Sequence, residues 1–524
     1  MKKTLLKIVS AVLCLCILTF SFVLPYATAT QDYIGSDIPV VYLCGSGADL
    51  VIDNEDGSTT TVYPIQLADG EIEAIVKDNI DVFAKAFFTQ QWGEFCDVLY
   101  EIVTDLYKDI ALDENGEAPN GARCYWSWDS NLGDRKNRHG KYDVQAYTFV
   151  YDWRMDPYKI ADDLRRYIED VRRSTGHDEV ALLGRCLGAS ITSAYMDKYD
   201  AEYVSDYIVY CGAHCGAAMC SKIFCGEMYL EPEGIERFIY DKELFDDALI
   251  NDLLQSFVTV LNDTYGLEIA CWAVNNVYED IYLDIVPRIL VETFATFPGY
   301  WSMVTEEDYE KAKQVVFYGA DKAKYKNFIQ ILDNYHYNVT NEMAEDYARY
   351  ESMGIDIFNV TKYGFQNTPL GTEEVNAVRS DLTCHVVHAS MGATATPVNE
   401  FFTDEYIAAA EAKGTAKYIS PDREIDASSA FNPDRTWFIK NLIHDRFPLS
   451  VDILFSNMIN EENFNVFSSE RYPQYMVYSE ETDNIHTLTA ENMNTTDHWN
   501  VPFFEALMKL FKCLFELAFT QRAE

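Results

Sequence analysis

Between Asp143 and Gly212 the sequence alternates strand and helix signals at the spacing of βαβ units, a pattern that leaves few folds open. Val144 to Tyr151 is a β-rich run ending in Asp152-Trp153-Arg154. Asp156 can cap a helix whose Ile160, Leu164, Tyr167, Ile168 and Val171 recur at helical spacing, and Gly176 ends it. The short apolar run Val180 to Leu183 follows, then a glycine-flanked turn, a helix from about Leu187 to Tyr199, and a strand from Tyr207 to Cys211. Successive parallel strands need crossover helices, so this order predicts an α/β fold with a mostly parallel sheet covered on both faces. Upstream, Val40-Val41-Tyr42-Leu43 reads as an earlier buried strand running into the glycine-rich loop Cys44-Gly45-Ser46-Gly47.

The remainder divides by pattern. Residues 30–226 carry the first part of the α/β core. Residues 227–380 show aromatic-rich helical patterns, such as Leu249 to Val277 and Glu306 to Val316, without strand alternation, and read as an inserted cap. Strand-like runs return at Cys384 to His388 and Ala416 to Ile419, so 381–524 is expected to complete the core. It ends in a helix, Phe503 to Phe519, whose broad apolar face is expected to dock on the core rather than enter a membrane.

Residues 1–29 look like a cleaved secretory signal: Lys2, Lys3 and Lys7, an apolar run from Ile8 to Leu24, then the small-residue stretch Ala27-Thr28-Ala29. The apolar run is short for a bilayer span, so a secreted or cell-surface-associated protein is expected. Removing this segment takes away three Lys and no acid, so 41 basic and 84 acidic residues become 38 and 84 and the formal charge −46. Such a surface repels nucleic acid, which is excluded as a partner, and meets a membrane or micelle surface only transiently. Thirteen Cys less Cys14 and Cys16 of the signal leaves eleven, an odd number that keeps at least one thiol unpaired within the chain.

Gly184-Arg185-Cys186-Leu187-Gly188 joins a strand to a helix, the setting of a nucleophile elbow, with cysteine where serine is usual. A thiolate there is favoured by the helix dipole and by Arg185. An elbow nucleophile needs a base, and in α/β-hydrolases the acid and then the His follow it along the chain. His444 stands in a loop just after the strand-like Trp437-Phe438-Ile439 and is the expected base. Ala389 to Asn399 holds no carboxylate, so the acid is sought after the next strand-like run: Asp422 first, with Asp426 as the alternative. The amides of Leu187 and Ser46 fit the two oxyanion donors.

Taken together these segments resemble the lecithin:cholesterol acyltransferase family, which includes lysosomal phospholipase A2 and the phospholipid:diacylglycerol acyltransferases. The strongest mark is Tyr151-Asp152-Trp153-Arg154 at its usual distance before the elbow. Further likeness lies in Val41 to Leu50, Gly212-Ala213-His214-Cys215-Gly216, Phe297-Pro298-Gly299-Tyr300-Trp301, and the Thr396-Pro397 pair. Pro421-Asp422-Arg423-Glu424-Ile425 matches the family's acid-bearing stretch, and His444 matches its His. The resemblance implies an α/β-hydrolase with an inserted lid that moves lipid acyl chains. The sequence departs from it at Cys186, at Arg185 where the family has His, and around Asp422, where the family's Gly and Thr are missing.

The expected chemistry is two-step acyl transfer or ester hydrolysis through a Cys186 thioester, with a lipid or other acyl ester as substrate and with no cofactor or metal. Cysteine-type thioester or amide hydrolysis is a neighbouring alternative. A different class of function would be a binding protein on a silent hydrolase scaffold, stapled by zinc or disulfides through Cys211, His214, Cys215, Cys220 and Cys225.

Overall fold

A computed structural model describes residues 34–65, 71–125, 132–242, 244, 248–493 and 501–520. The expected signal segment, residues 1–29, lies outside them.

The molecule is α/β, built on one eight-stranded sheet. Its strands, in chain order, are β1 (Val40–Leu43), β2 (Tyr147–Phe149), β3 (Val180–Arg185), β4 (Val204–Tyr210), β5 (Asp356–Tyr363), β6 (Thr436–Lys440), β7 (Tyr475–Ser479) and β8 (Asn484–Thr487). In space they run β8-β7-β6-β5-β4-β3-β1-β2, all parallel except for the terminal β7–β8 pair. The chain works outward from β1 in both directions, as βαβ crossovers require.

Pleating sends alternate side chains to opposite faces, and each face has its own helices. Val41, Leu43, Leu182, Tyr207 and Val209 pack with α1 (Pro157–Thr175) and α2 (Leu187–Tyr199) in one buried cluster. Val40, Tyr42, Leu183, Ile208, Phe358, Trp437 and Ile439 pack on the other side with Val451, Leu454, Phe455 and Met458 of α3 (Leu449–Asn460). The α1 caps are those expected: the Asp156 carboxylate accepts from the Tyr158 amide at 2.9 Å, and Gly176 turns left-handed at φ 74°.

Two strand expectations fail. Residues 384–388 do not extend a strand; Val386–Ala389 is a helical turn, and Ala416–Tyr418 is a 3-10 turn. The core strand β5 lies instead at Asp356–Tyr363, inside the range read as insertion. Its alternation is hidden because it is buried along seven of its eight residues and includes Asn359, Thr361 and Lys362 as well as apolar groups.

Buried residues of the helices between Gly266 and Ser352 join the same cluster as α1, α2 and one face of the sheet. Tyr151-Asp152-Trp153-Arg154 ties this region to the first loop. The fully buried Arg154 pairs with Asp152 at 2.6 Å and donates to the carbonyls of Ile110 and Ala122. Tyr151 Oη and Trp153 Nε1 donate to the carbonyls of Cys44 and Ala48 at 2.6 and 3.1 Å. Trp153 stacks on Tyr300, and Gly299 meets the Trp153 carbonyl so closely that a Cβ there would sit 2.0 Å from it.

The last helix, Phe503–Thr520, packs along Ala248–Asp263, with a Lys509–Asp252 ion pair at 2.7 Å, rather than on the sheet. Its Phe504, Met508 and Phe511 are exposed. Among the described residues no helix is long and apolar enough to cross a membrane.

Candidate active site

Cys186 occupies the bend between β3 and α2 with φ 54° and ψ −127°, a conformation an L-residue holds only when its surroundings enforce it. The enforcement is visible. Its amide donates to the Tyr210 carbonyl at 3.3 Å, and its carbonyl accepts from the amides of Ala189 and Ala213. The flanking glycines are sterically required: a Cβ on Gly188 would lie 2.4 Å from the Leu43 carbonyl oxygen, and one on Gly184 would lie 2.8 Å from Ala189 Cα. The helix therefore starts hard against the end of β1, and the bend turns the sulfur out of the sheet, leaving Cys186 partly exposed.

The loop after β1 runs directly past this sulfur. A Cβ on Gly45 would stand 2.8 Å from Cys186 Cβ and 3.2 Å from its Sγ, so only glycine allows the approach. Ser46 follows in this loop, and Leu187 is the first residue of α2, where the backbone amide has no partner within the helix. Both expected oxyanion donors thus belong to segments bordering Cys186.

His444 lies in the loop after β6 and is buried, 5% exposed. Its backbone carbonyl is gripped by Arg185 Nη2 at 2.7 Å and by Lys362 Nζ at 2.9 Å. Lys362 also donates to the carbonyls of Ile443 and Arg446, so a buried ammonium shapes the whole loop. The sulfurs of Cys186 and Cys384 and a ring nitrogen of His444 lie within 4.8 Å of one another.

The carboxylate on His444 is Asp381, a residue the sequence reading did not select. Nδ1 of His444 donates to Asp381 Oδ2 at 2.8 Å, and the His444 amide donates to the Asp381 carbonyl at 3.0 Å. Asp381 is itself held by the amides of Cys384 and Thr383, which donate to Oδ1 at 2.7 and 3.1 Å. Asp422, the expected acid, is committed elsewhere. It accepts from Lys440 Nζ at 2.9 Å, from Tyr363 Oη at 3.0 Å and from the Ser420 hydroxyl. Asp426, the alternative, accepts from Tyr406 Oη and from the Ser428 amide. The sequence places the acid after His388, whereas Asp381 precedes the run 384–388, which is a turn and not a strand. The signal that marks it is the turn Asp381-Leu382-Thr383-Cys384, whose Asp side chain caps the two following amides.

Electrostatics polarise the trio. The Cys384 S–H facing it holds the Cys186 thiol well below its ordinary range against the cost of burial, and the His444 imidazole and Arg185 add to this. Burial works against a charged imidazole at His444, but the Asp381 carboxylate and the Cys186 sulfur outweigh it and raise the ring to about 10. Both shifts favour a thiolate facing an imidazolium. Cys384 moves the other way, well above the usual thiol range, first because it donates to Cys186 and then because it is buried. Its sulfur also lies 3.6 Å from the Cys211 carbonyl.

The other cysteine and histidine candidates do not assemble. Among the described residues, Cys211, His214, Cys215, Cys220 and Cys225 do not come together as a ligand set, and the four cysteines are free thiols. His214 is stacked on Tyr347 and pushed down to about 4 by burial. His385 is likewise buried and pushed down to about 3. A 420 Å³ cleft lined by Glu351, Asp356, Asn432 and Arg435 lies at the opposite end of β5 and β6 from His444.

No protein-family model matches the chain, and no curated protein matches it significantly.

Proposed function

We propose that the chain is a cysteine-dependent acyltransferase or carboxylic ester hydrolase of the α/β-hydrolase type, with Cys186 as nucleophile, His444 as base and acid, and Asp381 as the orienting carboxylate. The observation that carries this reading is a strained, partly exposed cysteine whose sulfur lies within 4.8 Å of an imidazole nitrogen, with Nδ1 of that ring bound to a buried carboxylate.

The Cys186 thiolate attacks the ester carbonyl carbon, and the carbonyl oxygen becomes an oxyanion held by the Leu187 and Ser46 amides. As the tetrahedral intermediate collapses, the carbon–oxygen bond to the leaving alcohol breaks and His444 gives it the imidazolium proton. The thioester is then attacked by water or an acceptor alcohol, whose proton passes to His444, and the thiolate leaves. Asp381 keeps Nδ1–H pinned so that Nε2 faces the sulfur in both steps.

The resemblance to the lecithin:cholesterol acyltransferase family supports a lipid acyl ester as substrate, and the apparent signal segment supports export. The aromatic-rich helical region, with Trp301, Phe224, Phe317 and Tyr309 packed ring against ring, suits apolar cargo. The test is mass spectrometry of the full chain after incubation with phosphatidylcholine micelles and, separately, with an electrophilic lipid ester. An acyl adduct on Cys186 that is absent in Cys186→Ala is expected. Acylation elsewhere, or none with the protein natively folded, would sink the reading.

A further inference from the structure

Acyl transfer by Cys186, His444 and Asp381 makes no use of a second thiol, yet Cys384 stands in contact with the nucleophile. We propose that Cys186, Cys384 and His444 together bind a thiophilic divalent cation of the zinc class, and that the bound cation closes the nucleophile.

The donors come from three separate places in the chain: Cys186 directly after β3, Cys384 in the long segment between β5 and β6, just before the helical turn Val386–Ala389, and His444 in the loop after β6. Their ligating atoms all lie within 4.8 Å of one another. A tetrahedral cation with bonds of about 2.3 Å to sulfur and about 2.0 Å to nitrogen sets its ligands about 3.5–3.8 Å apart, so a small inward movement of side chains completes the set. Two sulfurs and an imidazole form a soft donor set that selects zinc, cadmium or copper(I) over magnesium or calcium.

Asp381 supplies what a metal-bound histidine needs behind it. Its carboxylate on Nδ1 fixes the tautomer that presents the Nε2 lone pair to a cation. The cationic groups nearby, Arg185 and Lys362, are both turned onto the His444 carbonyl rather than toward the sulfurs. Cys186 is partly exposed while its two partners are buried, which leaves a fourth position open to water or another small donor. The other such group among the described residues, Cys225 with Glu227 and Asp308, differs in this respect. Lys222 bridges its two carboxylates and Lys311 pairs with Glu227, so the place of a cation is already taken.

Binding would engage the sulfur lone pair that attacks the ester and the nitrogen lone pair that shuttles its proton. Cation binding and acyl transfer would then exclude each other; only this consequence rests on the catalytic reading, since the ligand geometry stands without it.

The test is titration of the reduced, metal-free full chain with cadmium, followed by thiolate-to-cadmium charge-transfer absorption, with zinc as competitor. One equivalent is expected, with affinity at least about a hundredfold weaker in Cys384→Ala and about 10- to 100-fold weaker in Asp381→Asn. One equivalent of zinc is expected to slow alkylation of Cys186 by iodoacetamide at least tenfold, and a chelator alone to restore it. Unchanged cadmium absorption in a folded Cys186→Ala/Cys384→Ala double variant would place the metal elsewhere and overturn the proposal. Protection of Cys186 that yields to a thiol reductant but not to a chelator would also overturn it, in favour of a Cys186–Cys384 disulfide. If the metal-free chain binds cadmium as expected but is never acylated by a lipid ester, the acyl-transfer reading falls and the cation site stands. Acylation without cadmium binding has the converse meaning.

Discussion

Two buried ionic clusters lie only a few residues apart along the same strand and loop, and they do different things. The first, at Lys440 on β6, is closed: Lys440 bridges Asp422 at 2.9 Å and Glu424 at 2.8 Å, and Arg379 pairs with the other oxygen of Glu424 at 2.9 Å. Every charge in it faces another charge, and all four side chains are at most 5% exposed. The second, at His444, is open at one end. Asp381 holds one side of the imidazole, and the other side faces a sulfur on a strained, partly exposed bend. A closed cluster spends its interactions on staying folded, whereas an open one leaves a reactive atom with a supported partner but no neutralising lock.

This contrast can be broken by experiment, beginning with the largest effect. His444→Ala should lower the rate of Cys186 acylation by about 10⁴-fold or more, since base and nucleophile act as a unit. A loss of less than tenfold would mean that the imidazole is only a neighbour. Asp381→Asn should cost about 10²-fold or more by leaving the ring without its orienting carboxylate. The matched change in the closed cluster, Asp422→Asn, should leave the acylation rate within about twofold and instead lower the unfolding free energy by about 3 kcal/mol, because Lys440 loses one of its two buried carboxylates. Equal rates for the two variants, compared by stopped-flow acylation alongside urea unfolding, would erase the distinction.

The pH dependence sharpens it further. With the Cys186 thiol held low, alkylation by iodoacetamide should stay fast well below the ordinary thiol range near about 8.5, and in His444→Ala its midpoint should move upward. For stability the sign follows from the imidazole. Its folded value is raised to about 10, above an unfolded value of about 6.5, so its contribution is whole below about 6.5 and is lost as pH rises through 10. The stability gap between the native chain and Asp381→Asn, measured by urea unfolding, should therefore narrow between pH 7 and pH 10.5. A smaller loss than that of Asp381→Asn is expected from Gly45→Ala, whose added methyl would push the loop from Cys186 and slow acylation by about tenfold while barely changing the midpoint of the pH profile.

Local pattern was enough for some of this. Strand periodicity and glycine spacing place a bend at Cys186, because the clashes that demand Gly184 and Gly188 arise within a few residues of the turn and at the end of the neighbouring strand. The cap at Asp156 and the stop at Gly176 are equally short-range. Strand β5 escaped notice because Asn359, Thr361 and Lys362, though buried, are polar and break its apolar run. That miss carried over to the site. With residues 384–388 read as the strand, the acid is expected only beyond them, although Asp381 and Asp422 both lie between β5 and β6.

What the residues determined alone was the bend at Cys186 and the mostly parallel sheet behind it, since steric and periodic constraints act between near neighbours in the chain. Only the tertiary structure decided that Asp381 rather than Asp422 meets the imidazole, and that Cys384 meets the sulfur. Those choices depend on which strand ends lie side by side in the sheet, and on Lys440 having already claimed the nearer acid. A buried carboxylate goes to the partner it can reach, and that reach is set by strand order rather than by distance along the chain.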